Sequence, residues 1–150
     1  ILWDRPFDAL MNHNRRNEIN KSADWVFTKA HERGIAILNA APYASGVLAK
    51  GSSVMPRIAY QDATAESLEP VKAIEAICTK YQVSPGALAL QFSTRDPRIT
   101  STVAGVTKPS RVQQTIDWAN VELPDSLWTE IENLNFSMED PEANREYKPG

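Results

Sequence analysis

Gly34-Ile-Ala-Ile-Leu-Asn-Ala-Ala-Pro-Tyr-Ala-Ser-Gly-Val-Leu-Ala-Lys-Gly51 is the stretch that decides the fold. Its first part, Ile35 to Asn39, is apolar without polar alternation, the pattern of a strand covered on both faces in a parallel sheet. From Ala40 to about Asp62 the composition turns to Ala, Ser, Gly and Pro, which reads as one long loop. Loops of this length inside compact domains are functional or disordered, and the functional option is the expectation here.

Outward from this stretch, strands and helices alternate. Phe7 to Asn12 reads as a strand opening into a polar loop from His13 to Asn20. Lys21 to Arg33 carries Trp25, Val26, Phe27 and Ala30 at helical spacing, with Asn20 or Ser22 as N-cap and Gly34 as stop. Glu66 to Tyr81 places Leu68, Val71, Ile74, Ile77 and Cys78 on one helical face, with Pro70 tolerated as a first-turn residue. Ser84 and Pro85 open a helix through Phe92. Arg98 to Ala104 is a β-branched strand. Pro109 opens a helix carrying Val112, Ile116 and Ala119, and Pro124-Asp125 opens one carrying Leu127, Ile131 and Leu134. Residues 1–136 form the folded unit, and 137–150 form a polar tail expected to be mobile or draped. The alternation predicts an α/β fold with a parallel sheet and right-handed crossovers. Three strands are few for such a sheet, and the chain starts at Ile1, so further strands are expected upstream.

Bulk properties narrow the function. A chain of 150 residues buries about 70% of its unfolded surface, enough for one core. Charged residues at 23% and apolar residues at 42% fit an ordinary globular protein. A net charge of −3 with scattered Lys and Arg argues against nucleic-acid binding. The apolar run from Gly34 to Leu48 is broken by Asn39, Pro42 and Ser45, so no bilayer helix is expected. The single cysteine, Cys78, reads as a core residue, and with no leader-like start a cytoplasmic location is expected. One cysteine and two distant histidines do not make a zinc site, and His31 reads as a helix C-terminal residue. Asp4, Asp8, Glu18 and Asp24 read as helix and turn residues rather than an acid and base pair.

Ligands of parallel α/β sheets meet the loops at the carboxyl ends of the strands, and three such loops exist. After the first strand, Asn12 and Asn14 are suited to a carboxamide, or else serve turn chemistry. After the second, small residues between Ala40 and Ser45 let backbone amides approach a pyrophosphate while Tyr43 offers a flat surface; the alternative is a tight connection around a packed tyrosine. After the third, Gly105, Thr107, Lys108 and Arg111 lead into a helix N-terminus that favours an anion, the alternative being a solvated charged cap.

At these loops the sequence resembles the aldo-keto reductase superfamily, most closely the branch that forms sugar lactones by oxidising aldoses. The matching stretches are Phe7-Asp-Ala-Leu-Met-Asn-His-Asn-Arg15, Gly34 to Gly51, Ala87-Leu-Ala-Leu-Gln-Phe-Ser93 with Asp96-Pro97, and Ser101-Thr-Val-Ala-Gly-Val-Thr-Lys-Pro-Ser-Arg-Val112, in family order and spacing. The resemblance implies the last three strands and helices of a TIM-type (β/α)8 barrel. It implies that Asn12 meets the nicotinamide carboxamide, that Ala41, Pro42, Tyr43, Ser45 and Gly46 wrap the pyrophosphate, and that Gly105, Thr107, Lys108 and Arg111 hold the adenosine end, with Thr115 standing where an asparagine often contacts adenine. Ala40 stands where many members carry an aromatic ring against the nicotinamide. The catalytic tyrosine, lysine, aspartate and histidine of the family have no counterpart here.

The resemblance thus implies the cofactor-holding part of an NADP- or NAD-dependent oxidoreductase acting on a small carbonyl or sugar substrate, inactive alone and partnered by an N-terminal barrel portion. Lys108, Arg111 and Thr107 slightly favour NADP through a ribose 2′-phosphate, although the aldose-oxidising branch often uses NAD. Two other readings stand beside it. One is a non-catalytic, dinucleotide-binding regulatory barrel relative, to which Ala40 points, and the other is an unrelated small α/β domain that folds alone.

Overall fold

The computed structural model describes residues 6–143; Ile1, Asp4 and the last part of the expected tail, 144–150, lie outside the described residues. A parallel three-stranded sheet forms from β1 (Ala9–His13), β2 (Ala36–Ala40) and β5 (Ser101–Val103), in the order β1-β2-β5. Ala9 pairs with Ala36 and Asn12 with Asn39, while Leu38 pairs with Ser101. β2 therefore lies in the middle, as its unbroken apolar run requires, and Ile37 is fully buried.

Helix α1 (Asp24–Glu32) connects β1 to β2 and stops where Gly34 allows it. Gly34 takes φ +68°, its N–H donates to His31 O, and Ile35 N donates to Ala30 O, a Schellman closure that needs a left-handed residue. The start differs from expectation: Ala23 is the cap residue and no side chain caps it. Asn20 Oδ1 instead accepts from Ser22 N and Ser22 Oγ, so the two candidate caps satisfy each other in the turn before the helix.

The long connection after β2 is built rather than open. A 3-10 turn at Ala44–Gly46 leads into α2 (Val47–Lys50), and a hairpin of β3 (Arg57–Ile58) and β4 (Gln61–Asp62) follows. Helix α3 (Ala65–Tyr81) is capped by Thr64, whose Oγ1 accepts from Ser67 N. Pro70 thus falls beyond the first turn, and its missing N–H leaves the carbonyl of exposed Glu66 to water. Helix α4 (Pro85–Thr94) starts on its N1 proline and is buried from Gly86 to Gln91, and α5 (Ser110–Asn120) and α6 (Asp125–Glu132) complete the fold.

The main core joins Val47, Leu48, Val71, Ile74, Cys78, Leu88, Leu127 and Ile131, which unites α2, α3, α4 and α6. A second cluster of Ala23, Phe27, Ala30 and Ile37 seats α1 on the sheet. Cys78 is buried as expected, and burial foremost, helped by Glu18 and Glu75, pushes its thiol up to about 12. The stripe Val112, Ile116 and Ala119 of α5 is not in the core: Val112 and Ile116 are about half exposed, and α5 turns Trp118 toward α4 instead. Met11, Trp25 and Val103 are exposed as well, and β1 and β5 each pair on one side only among the described residues.

Two polar features hold the loops. Arg16 and Arg98 share Asp96, at 2.9 and 2.7 Å, and Arg98 also reaches Asp24 at 2.7 Å, which clamps the β1–α1 loop to the turn before β5. Burial raises the Asp96 carboxyl, but the bonds from Arg98 and Arg16 outweigh it and hold it at about 2. Segment 137–143 is likewise tied down: Lys21 N donates to Ser137 O, Ser137 N donates to Ile19 O, and Arg15 meets Asp140 at 2.8 Å. Its described part is not free to drift.

Glu18, expected as a turn residue, is fully buried, and neither carboxyl oxygen has a hydrogen-bond partner among the described residues. Burial pushes its pKa well above the usual range. Below about pH 4.3, the unfolded value, the group is neutral in both states. As pH rises the unfolded chain ionises first, so stability is lost until the folded group titrates and stays lost above that. Glu18→Gln should flatten this decline, melting higher than the parent at pH 8 with the gap closing toward pH 4.5, as thermal unfolding across that range would read. A second test concerns helix packing. A Cβ on Gly86 would sit 2.3 Å from Trp118 Cη2. Gly86→Ala gains roughly 0.5–1 kcal/mol of helix propensity but costs about 1–3 kcal/mol in overpacking, so a lower melting temperature and a displaced Trp118, seen in its fluorescence, are expected.

Candidate functional site

At the carboxyl ends of the strands, the chain after β2 turns sharply. Ala41, Ala44 and Ser45 all take positive φ, at 58°, 44° and 64°, before Gly46 at 100°. A non-glycine residue in that region costs on the order of 1–3 kcal/mol, and such strain persists where the surroundings fix it, commonly at ligand sites. The turn packs Ala44 and Val47 into the core, which leaves Ala41, Ser45 and Gly46 on its outer side.

Facing this turn is the segment after β5. Gly105, Val106, Thr107 and Lys108 are exposed, and a Cβ on Gly105 would meet nothing within 4 Å. Packing therefore does not demand glycine at 105. Arg111, Thr115 and Trp118 follow on one face of α5, and Thr115 Oγ1 donates to Arg111 O at 2.8 Å.

Between the two segments lies a cleft of about 400 Å³. Ala41, Pro42, Tyr43, Ser45 and Gly46 line one wall, and Gly105, Thr107, Lys108, Arg111 and Thr115 line the other. Tyr43 is half-buried, meets Trp118 edge-on with centroids 6.0 Å apart, and has its phenol pKa raised by burial against the opposing pull of Thr115 and Arg111. Lys50, Lys108 and Arg111 all line the cleft, and among the described residues no carboxylate lines it, although the chain carries net charge −3. Positive charge, a helix N-terminus and ring surfaces together suit an extended anion that also carries flat groups.

Asn12 is not brought to this cleft. Its amide donates to Asn39 Oδ1 at 2.6 Å, and Asn39 donates to Arg16 O and Ser93 Oγ, both at 2.9 Å. The reason is the pleat: Asn12 pairs with Asn39 on the face covered by helices, so the opposite face receives Met11 and His13. The polar side chain that β1 presents at that end is His13. Its Nε2 lies 3.1 Å from the Tyr60 hydroxyl and its Nδ1 lies 3.2 Å from Glu142 Oε1. Asn14, the other amide of that loop, donates to Glu142 Oε1 at 2.8 Å.

Sequence reasoning missed Lys50, Tyr60, Gln114 and Trp118 as lining residues. Trp118 was readable, since 111, 115 and 118 share a helical face once Arg111 is placed. Tyr60 had no local signal, because the hairpin that carries it folds back over a distance along the chain. Among the described residues no group of His, Cys, Asp and Glu could hold a metal ion, and no helix is long and apolar enough to cross a membrane.

The chain is 32% identical over 102 residues to a pyridoxal 4-dehydrogenase of Microbacterium luteolum, covering 68% of this chain and 30% of that protein. It is 29% identical over 111 residues to a D-threo-aldose 1-dehydrogenase of a Pseudomonas species, covering 73% and 34%. It spans about a third of the length of these relatives. An aldo-keto reductase of Bacillus halodurans, solved in its apo form, superposes with a TM-score of 0.69 at 16% identity over 97% of this chain and 49% of that one, which shows a shared α/β fold. The aldo/keto reductase family profile matches residues 5–135. With that match over most of its length, the chain belongs to the aldo/keto reductase family.

Proposed function

We propose that this chain is the C-terminal, dinucleotide-holding part of an NAD(P)-dependent aldo-keto reductase, supplying the last three strands of a (β/α)8 barrel. The observation that carries the reading is the cleft between the strained 41–46 turn and the start of α5, walled by Lys50, Lys108 and Arg111 with no carboxylate among its described lining residues. Backbone amides of the turn approach a pyrophosphate, and Lys108, Arg111 and Thr107 surround an adenosine phosphate. The bound cofactor supplies hydride transfer; this chain's residues bind and orient it. The family's catalytic tyrosine, lysine, aspartate and histidine have no counterpart in the sequence, so the proton step belongs to a part of the barrel other than this one. The relatives' names, a pyridoxal dehydrogenase and an aldose dehydrogenase, support a small carbonyl compound or sugar as substrate and a dehydrogenase as the whole protein.

The open sides support the barrel reading. Among the described residues β1 and β5 each have an unpaired outer edge, and Met11, Trp25, Val103, Val112 and Ile116 expose apolar surface. Further βα units of a barrel would pair with both edges, and edges of this kind otherwise invite association. The chain alone should therefore self-associate with rising concentration in light scattering, and co-expression with a preceding family segment should render it monodisperse. A chain that stays monomeric at high concentration argues for an independent domain.

The regulatory alternative rests on Ala40, a buried methyl at the end of β2. Cofactor binding by the whole protein without hydride transfer to aldehydes and aldoses would favour it. For cofactor choice, Arg111→Ala should weaken NADP binding more than NAD binding, by roughly 1 to 3 kcal/mol for a lost charge-assisted contact, as calorimetry would measure. Equal loss for both would remove the preference for NADP.

A further inference from the structure

A second cavity, of about 410 Å³, lies between the β1–α1 loop, the end of α4 and helix α6, and it shares no lining residue with the cleft. Four of its lining residues are cations, Arg16, Lys21, Arg95 and Arg98, against two carboxylates, Asp96 and Glu132. Asp96 is held by Arg16 at 2.9 Å and by Arg98 at 2.7 Å, and Arg98 also takes Asp24, so these charges balance within the wall. Lys21 and Arg95 are left over. Neither is ion-paired among the described residues, and Glu132 is exposed.

Aromatic rings seat those two cations. Lys21 Nζ lies 3.4 Å from the Phe136 ring centroid and Arg95 Cζ lies 4.5 Å from that of Trp128, while Arg16 stacks on Phe92 with Cζ at 4.8 Å. A ring face attracts a cation without neutralising it, so the N–H groups keep their capacity to donate. Burial first, then the Arg16 charge, pull the Lys21 ammonium below the ordinary lysine range against the Asp24 and Glu132 carboxylates. The wall is rich in donors as well. Arg16 is 9% exposed, and its Nε and Nη1 are buried without a hydrogen-bond acceptor among the described residues, as is Trp128 Nε1. Arg16 Nε stands 3.6 Å from Asp24, beyond hydrogen-bond length. These enclosed groups act on the cavity through their field rather than by contact.

We propose that this cavity binds a phosphate-class oxyanion, gripped by Lys21 and Arg95 from their aromatic seats and backed by the buried Arg16 guanidinium. A tetrahedral dianion brings acceptors alone, which matches a wall whose unmet groups are donors and whose unpaired charges are two cations. Free phosphate and the phosphoryl group of a small metabolite share this chemistry.

The test is thermal unfolding of the full chain titrated with sodium phosphate against sodium chloride at matched ionic strength. Phosphate should raise the melting temperature in a saturable way beyond the effect of chloride. Lys21→Met, which keeps an apolar stem on Phe136, and Arg95→Gln should each weaken phosphate roughly five- to tenfold. Glu132→Gln, at an exposed position, should tighten it, and this variant carries the test if either of the others fails to melt cooperatively in chloride. Lys108→Gln with Arg111→Ala, in the dinucleotide cleft, should leave the phosphate titration within about twofold. Glycerol 3-phosphate separates the sources: tighter binding than inorganic phosphate assigns the site to a phosphomonoester, and equal or weaker binding assigns it to the free ion. Stabilisation no greater than that of chloride overturns the proposal. So does a phosphate effect that survives both Lys21→Met and Arg95→Gln, that Glu132→Gln fails to strengthen, or that disappears with Lys108 and Arg111.

Discussion

The buried amide of Asn39 is the contact on which the rest of the structure depends. It accepts from Asn12 on β1, donates to the Arg16 carbonyl in the following loop, and donates to Ser93 on α4, whose hydroxyl lies 2.7 Å from Thr102 on β5. One fully buried side chain therefore registers three strands and a helix. A polar group without solvent is costly unless its partners are complete, and this geometry completes them. With the strands in register, the turn after β2 and the segment after β5 face each other, and the cleft is the space they enclose.

That amide also explains which part of the site was legible. The Ala40–Gly51 and Gly105–Arg111 segments could be read because small residues, glycine, cations and a helix start carry their chemistry locally. Asn12 was expected at the ligand and stands outside the cleft, because type and position along a strand do not reveal which face of the sheet a residue takes. That depends on pairing with Asn39, a contact across 27 positions. Tyr60 failed for the converse reason, since its place follows from a hairpin whose positive-φ turn contains neither Asn nor Gly.

The fold was more legible than its boundaries. β2 announced itself as a central strand, although only the Ile37 and Asn39 face is fully covered, and Pro85 and Gly34 marked a start and a stop where the structure puts them. Glu18 ran against every sequence rule, because a fully buried carboxyl looks the same in sequence as a surface one. The helix α5 stripe was read correctly as apolar and wrongly as core. Apolar periodicity marks a face that wants cover without saying what covers it.

The same topology imposes an order on assembly. β1, α1 and β2 close on one another over 27 positions, whereas joining β2 to β5 spans 63. Loop-closure entropy separates the two by only about 0.7 kcal/mol, but α1 lies inside the shorter span and can form as it closes. The βαβ unit is the natural nucleus, with β5 added later. The bonds from 139–142 back to 13–20 reach across 119 to 129 positions, so they close the longest loops of these contacts. The imidazole of His13 meets Glu142 only when the two ends of the described residues have come together, so this contact reports that closure.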